Sequence, residues 1–171
     1  MSYQEMVENA NAIAMDKLAL LDDIAIAKES WFDVVDELKP ILHEHWEELA
    51  LYSDIPLDPE FELYEALETK GMLSFYSVRR SGELVGYAIF FVRKSPHYKS
   101  TLWAVCDIIL IRKPYRNFGV GDKLFAFFED DLRQQGVKVV HMMTKASHPE
   151  LGGLARRRGY RHSETNFSLR L

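Results

Sequence analysis

Apolar side chains recur near every 3.6 residues at the start of the chain. Met6, Ala10, Ile13, Ala14 and Leu18, with the stem of Lys17, share one face and predict a helix over 3–21. The short run Ile24-Ala25-Ile26-Ala27 reads as a first strand. Ser30 is placed to cap a second helix, whose apolar stripe is Phe32, Val35, Leu38, Leu42, Trp46 and Leu49. Pro40 interrupts that stripe and predicts a kink or two helices. Pro56 and Pro59 mark a turn, and 61–70 form a short helix closed by Gly71.

From there the period shortens to that of strands. Segments 72–78 and 84–92 flank the turn Ser81-Gly82 and predict a hairpin. Ser95-Pro96-His97 breaks the chain, and 102–111 is a long apolar strand stopped by Lys113-Pro114. A helix over 119–135 turns Leu124, Phe127, Phe128 and Leu132 inward and ends at Gly136. A strand over 137–143, a short helix over 149–158 closed by Gly159, and one or two strands within 160–171 complete the chain. Helices, a hairpin, then strand–helix–strand–helix–strand describe a mixed α/β domain around one sheet.

With 171 residues the chain suits a single domain, 1–171, with one real core. The N-terminus carries Glu5 and Glu8 rather than a basic, apolar leader, and no apolar run approaches the roughly 20 residues that span a bilayer. No membrane association and a cytoplasmic location are the expectation. The single cysteine, Cys106, excludes an intrachain disulfide and a cysteine-rich zinc site; beside Val105 and Ile108 it reads as a buried strand thiol. No metal is expected. The formal net charge of −5 disfavours bulk nucleic-acid binding, although base gathers after Arg79 and could form a local anion-binding surface.

The segment Arg116-Asn117-Phe118-Gly119-Val120-Gly121 lies between an apolar strand and an amphipathic helix. Glycines there let the backbone approach a ligand and turn tightly into the helix. The first helical amides lack internal partners and sit at the positive end of the helix dipole, so the segment is built to cradle phosphate, with Arg116 as an added cation. It is no Walker A loop, because no Gly-Lys-Ser/Thr triplet occurs, and Phe125 and Ala126 stand where a dinucleotide fingerprint needs a third glycine.

Arg-x-x-Gly-x-Gly after a long strand resembles the pyrophosphate loop of the GNAT (Gcn5-related N-acetyltransferase) superfamily. The order of elements over 72–160, closing on Gly159-Tyr160, is similar as well. His45-Trp46-Glu47-Glu48 with Asp54-Ile55-Pro56-Leu57 resembles GNAT proteins of phages and prophages. The resemblance implies a GNAT-like fold: a central mixed, largely antiparallel sheet with helices on both faces. It makes 72–160 the acetyl-CoA-binding core and leaves 1–22 as an extra N-terminal helix. Strands 102–111 and 137–143 should splay so that the pantetheine arm bonds main-chain groups near Leu110 and Ile111. The amides of Phe118, Gly119, Val120 and Gly121 should hold the pyrophosphate. The acceptor should approach from the first helices and the hairpin, where Trp46, Tyr52, His97 and Tyr98 are candidate lining residues.

The activity so implied is acetyl transfer from acetyl-CoA, as acetyl donor, to an amine. An alkyl amine is mostly protonated at pH 7, and freeing it costs roughly 4–5 kcal/mol, so a base is required. Asp107 is the first candidate, because an acid inside an apolar strand needs a reason and burial would raise its pKa. Glu48, His45 and His97 are rivals. Many GNAT enzymes protonate the leaving thiolate with a tyrosine seven residues after an asparagine in the last helix; here those positions hold Ala155 and His148. His148 is therefore a candidate acid, with Tyr98, Tyr115 or water as alternatives. The run Arg156-Arg157-Arg158, with Arg161, suits a helix C-terminus.

Two readings stay open. One is an N-acetyltransferase whose amine acceptor belongs to a small molecule, a protein or a nucleic acid. The other is a catalytically degenerate acyl-CoA-binding domain that acts through a protein partner. Many proteins of this fold pair through their last strands, so a homodimer is one expectation.

Overall fold

Residues of three long strands divide between two hydrophobic clusters, one on each face of a single sheet. The computed structural model describes residues 2–171. The sheet has the order β1 (Ile24–Glu29), β2 (Leu73–Arg80), β3 (Glu83–Ser95), β4 (Tyr98–Ile111), β5 (Val139–His141). The first three pairings are antiparallel and β4–β5 is parallel. Helices α2 (Trp31–Leu49) and α3 (Phe61–Thr69) cover one face over Phe75, Tyr87, Ile89 and Leu110. Helices α4 (Val120–Gln134) and α5 (Pro149–Arg157) cover the other over Tyr76, Phe90 and Cys106. The mixed, largely antiparallel sheet with helices on both faces is thus present. No helix is long and apolar enough to cross a membrane among the described residues.

Helix α1 (Tyr3–Asp23) opens on a capping box formed by Ser2 and Glu5. None of its residues is buried; only Leu20 and Leu21, at its end, pack onto the body. Lys123 of α4 holds that end by donating from Nζ to the carbonyls of Leu21 (3.0 Å) and Ile24 (2.6 Å).

Several expected details differ. Helix α2 runs unbroken through Pro40, because Leu38, Ile41 and Leu42 on either side are buried against the sheet and hold it. Its inward face is Trp31, Val34, Leu38, Ile41, Leu42 and His45; Leu38 and Leu42 are as expected, but Trp31, Val34 and His45 take the places expected of Phe32, Val35 and Trp46, and Phe32 is 54% exposed. In α4 Leu124, Phe128 and Leu132 face inward as expected, joined by Phe125, while Phe127 lies at the surface. The hairpin strands extend to Ser95 and Tyr98, so Ser95-Pro96-His97 is a tight turn rather than a long break. Strand β5 is three residues long. Residues 160–171 form no helix or strand: Phe167 and Leu169 are 94% and 83% exposed, and the segment pairs with no strand of the sheet.

Two irregularities of β4 shape the molecule's working side. Strand β5 pairs only with Trp103, Ala104 and Val105, whereas β4 continues to Ile111 with no partner on that edge. The two strands therefore part beyond Val105. In the β3–β4 ladder Ile89 pairs with Ile108 while the next residue, Phe90, pairs with Cys106. Asp107 is thus the extra residue of a β-bulge.

Candidate active site

The bulge decides where Asp107 points. Cys106 packs with the α4 side and Ile108 with the α2–α3 side, and the extra residue turns the Asp107 carboxylate toward α3 as well. There its Oδ2 accepts a 2.8 Å hydrogen bond from the Tyr64 hydroxyl. Burial pushes the Asp107 carboxyl above the usual carboxylate range, and the Tyr64 bond opposes part of that rise. Tyr64 is itself fixed by stacking on Trp31, with centroids 4.6 Å apart and ring planes 15° from parallel.

Tyr64 and Ile108, the two neighbours of Asp107, line a cavity of about 440 Å³ between α2, α3, the 50–59 loop and the sheet. That size is ordinary for a small-molecule site. Trp46 and Tyr52 line it too. The chain's last residues sit against its loop wall: the Tyr52 hydroxyl meets Ser168 Oγ at 3.2 Å, and Arg170 pairs with Asp54. His97 and Tyr98 do not join it. They lie exposed at the β3–β4 turn, at the start of the strand whose later part carries Asp107, and Tyr98 stacks on Trp103 instead.

The other acid–base candidates lie near the end of α2 and are already engaged. His45 is buried with Nδ1 2.9 Å from the Tyr87 hydroxyl, and desolvation lowers its pKa to about 4. Glu48 receives two hydrogen bonds from the Arg116 guanidinium, at 2.6 and 2.9 Å, which hold its carboxyl below the usual range against the effect of burial. His148 is the N-cap residue of α5, half-buried and within electrostatic reach of Glu48. Ala155 is buried in the α4–α5 core and carries no proton to give. The neighbouring arginine run is partly spent on structure, since Arg158 grips Glu129 of α4 at 2.6–3.2 Å.

The glycine loop follows a one-turn 3₁₀ segment, Lys113–Tyr115. Asn117 (φ 67°) and Gly119 (φ 85°) both take left-handed conformations, so the chain turns twice before entering α4. Such turns bring successive amides together into a concavity suited to an anion. No side chain caps the N-terminus of α4, which leaves the amides of Val120 and Gly121 free for one. Arg116 has a different task from the one expected of it. Its Nε donates to the Ile111 carbonyl (2.6 Å) and its other nitrogens hold Glu48, so it ties the loop to β4 and α2 rather than standing free. A Cβ at Gly121 would stand 2.9 Å from Leu154 Cδ2 of α5, the end of a side chain that would have to shift to admit it.

The open edge of β4 beyond Val105 thus runs into the glycine loop that opens α4. A family model described as the acetyltransferase (GNAT) family matches residues 31–160. The chain belongs to the GNAT family. As a GNAT protein it is an acetyl-CoA-dependent N-acetyltransferase. Similar solved structures agree in fold. A ribosomal-protein-alanine N-acetyltransferase from Brucella melitensis is 18% identical, with a TM-score of 0.66 over 86% of this chain and 99% of that one. An aminoglycoside acetyltransferase from an uncultured soil metagenomic sample, in complex with sisomicin, is 15% identical, with a TM-score of 0.70 over 89% and 99%. A Clostridium acetobutylicum protein described as a predicted acetyltransferase with acetyl-CoA is 8% identical, with a TM-score of 0.67 over 86% and 96%. No curated protein matches this GNAT chain.

Three residues of the site escaped the sequence reading. Tyr64, inside the short 61–70 helix, belongs to no motif of the sequence. Lys145, in the cavity wall, carried no signal. Gly86 did carry one, a lone glycine inside a strand: a Cβ there would lie 2.7 Å from the Leu110 carbonyl oxygen, so only glycine lets β3 approach β4 this closely.

Proposed function

We propose that this GNAT protein moves the acetyl group to a primary amine held in the α2–α3 cavity, by direct attack with Asp107 as general base. The observation that carries this is the bulge that turns Asp107 toward the cavity wall at Tyr64, on the strand whose free edge leads to the phosphate cradle. A carboxylate whose pKa is raised by burial is a better proton acceptor than an ordinary one. Glu48 is a weak base while Arg116 holds it, and His45 is closed off from the cavity's contents by its own burial.

The acetyl donor supplies a thioester carbonyl open to attack. Asp107 takes the proton that the amine must lose, and Tyr64 keeps the carboxylate aimed. Ala155 offers no acid, which leaves His148, at the N-terminus of α5, to return a proton to the departing thiolate. The amides of 118–121 hold the donor's pyrophosphate, with Arg116 and Glu48 bracing the loop from behind.

Calorimetric titration with acetyl-CoA, followed by thiol release in the presence of amines, tests this reading. Micromolar binding that Gly119→Asp abolishes, with turnover that Asp107→Asn abolishes, is the expected result. Binding without thiol release from any amine would favour the degenerate acyl-CoA-binding alternative, and no binding would remove both.

A further inference from the structure

The chemistry of the cavity wall narrows the amine. Its surface is dominated by aromatic and aliphatic groups: Trp31 and Tyr64 stacked on one side, Trp46 and Tyr52 on another, with Ile89 and Ile108 from the sheet. Among the described residues only two charged ones line it, Asp58 and Lys145. Lys145 makes no ion pair among the described residues, so its charge is uncompensated at the wall. Asp107 stands beyond Tyr64 and is reserved for the reacting nitrogen.

We infer that the acceptor is a monoamine carried on an apolar, aromatic or branched body, of the arylalkylamine kind, and not a polyamine or an amino sugar. The inference rests on the reading of this cavity as the acceptor site. A polycation needs a carboxylate or a solvated position for each ammonium, because burying an unpaired charge is costly. Here a second ammonium would meet Asp58 at best, a third would meet none, and each would be repelled by Lys145. An aromatic body instead removes apolar surface from water on both partners and stacks favourably on the rings already present. Its single nitrogen is then delivered to Asp107.

The reaction balances without another reactant. The amine nitrogen bonds to the acetyl carbon, the carbon–sulfur bond breaks, the amine's surplus proton passes to Asp107, and CoA leaves as a thiolate that takes up a proton. The products are an apolar N-acetyl amide and CoA.

Thiol release at saturating acetyl-CoA would be compared for 2-phenylethylamine and tryptamine, for methylamine, and for spermidine and kanamycin. Acetyl-CoA binding would be measured in the same preparations. The arylalkylamines should exceed the others by at least about tenfold in kcat/KM. Trp46→Ala should raise KM for tryptamine about tenfold with a smaller change in kcat, and Lys145→Glu should improve spermidine relative to tryptamine. If spermidine or kanamycin matches or beats the arylalkylamines, the inference fails while acetyl transfer stands. If methylamine does as well, it fails in the same way. If acetyl-CoA binds and no amine of any class releases thiol, the acetyl-transfer reading fails and takes the inference with it.

Discussion

Arg116 and Glu48 are joined by a two-pronged ion pair, Nη1 to Oε1 at 2.6 Å and Nη2 to Oε2 at 2.9 Å, across 68 residues of sequence. Glu48 is only 11% exposed and Arg116 33%. With the Nε bond to the Ile111 carbonyl, the pair fixes the start of the phosphate loop to the last turn of α2 and to the end of β4. Two residues that separately read as a phosphate-binding cation and a catalytic base are one brace.

Breaking the brace should therefore loosen the loop without removing the base. Glu48→Gln should weaken acetyl-CoA binding and lower stability by about 1–3 kcal/mol, since the Arg116 charge loses its partner. The kcat/KM profile against pH should keep its shape. A lost acidic limb would instead make Glu48 the proton acceptor.

Asp107→Asn should lower kcat by roughly 10²–10⁴-fold, the usual worth of a positioned base, with acetyl-CoA affinity unchanged. In the wild type, activity should rise with pH through an apparent pKa above the ordinary aspartate range, because burial disfavours the charged carboxylate. The Tyr64 hydrogen bond favours the charged form, so Tyr64→Phe should move that limb to still higher pH. A limb displaced downward would contradict this geometry.

Buried His45 links stability to pH. Its folded pKa, about 4, lies below the unfolded value near 6.5, so between those values the unfolded chain binds the extra proton. The contribution is fully present above about pH 6.5 and is lost as pH falls toward 4; it is on the order of 3 kcal/mol. Urea unfolding of the wild type and His45→Gln at pH 7 and pH 4.5 measures it. The variant should lose less stability over that interval.

Gly86→Ala should destabilise by about 1–3 kcal/mol, because the neighbour at 2.7 Å is the Leu110 backbone oxygen, which cannot swing aside. Shifting β4 there also disturbs the open edge beside the loop, so acetyl-CoA affinity should fall with Tm. Thermal unfolding alongside calorimetry reads both.

Gly119→Ala should cost about 1–2 kcal/mol for its left-handed backbone and weaken acetyl-CoA binding more than Gly136→Ala does. Gly136 is also left-handed (φ 86°) but lies at the far end of α4, where an added Cβ meets nothing within 4 Å. Equal affinities in the two variants would argue against the cradle.

Much of this was legible because it depends on local periodicity. Helix α1, the hairpin around Ser81-Gly82, helix α4 behind Gly119 and the family motif all announce themselves within short windows of sequence. Asp107 was conspicuous for a similar reason, as an acid in an apolar run. What could not be seen is why it faces α3, since the bulge is a mismatch of register between β4 and β3. The phase of α2 slipped because Phe32 and Trp31 are both aromatic, and only the sheet beneath decides which is inside. The tail misled for the complementary reason: Phe167, Leu169 and Leu171 alternate as a strand would, yet none of the three is covered by the body of the protein and the segment pairs with no strand.

The sequence by itself determined the order of elements from α1 to α5, the two-sided sheet and the glycine loop that opens α4, because helical and strand periods, capping residues and glycines act over a few neighbouring residues. The tertiary structure alone decided that Arg116 serves Glu48, that Asp107 rests on Tyr64, and that aromatic rings from α2 and α3 enclose one cavity. Those pairings join residues tens of positions apart, and they form only when the sheet brings its two helical layers to their places.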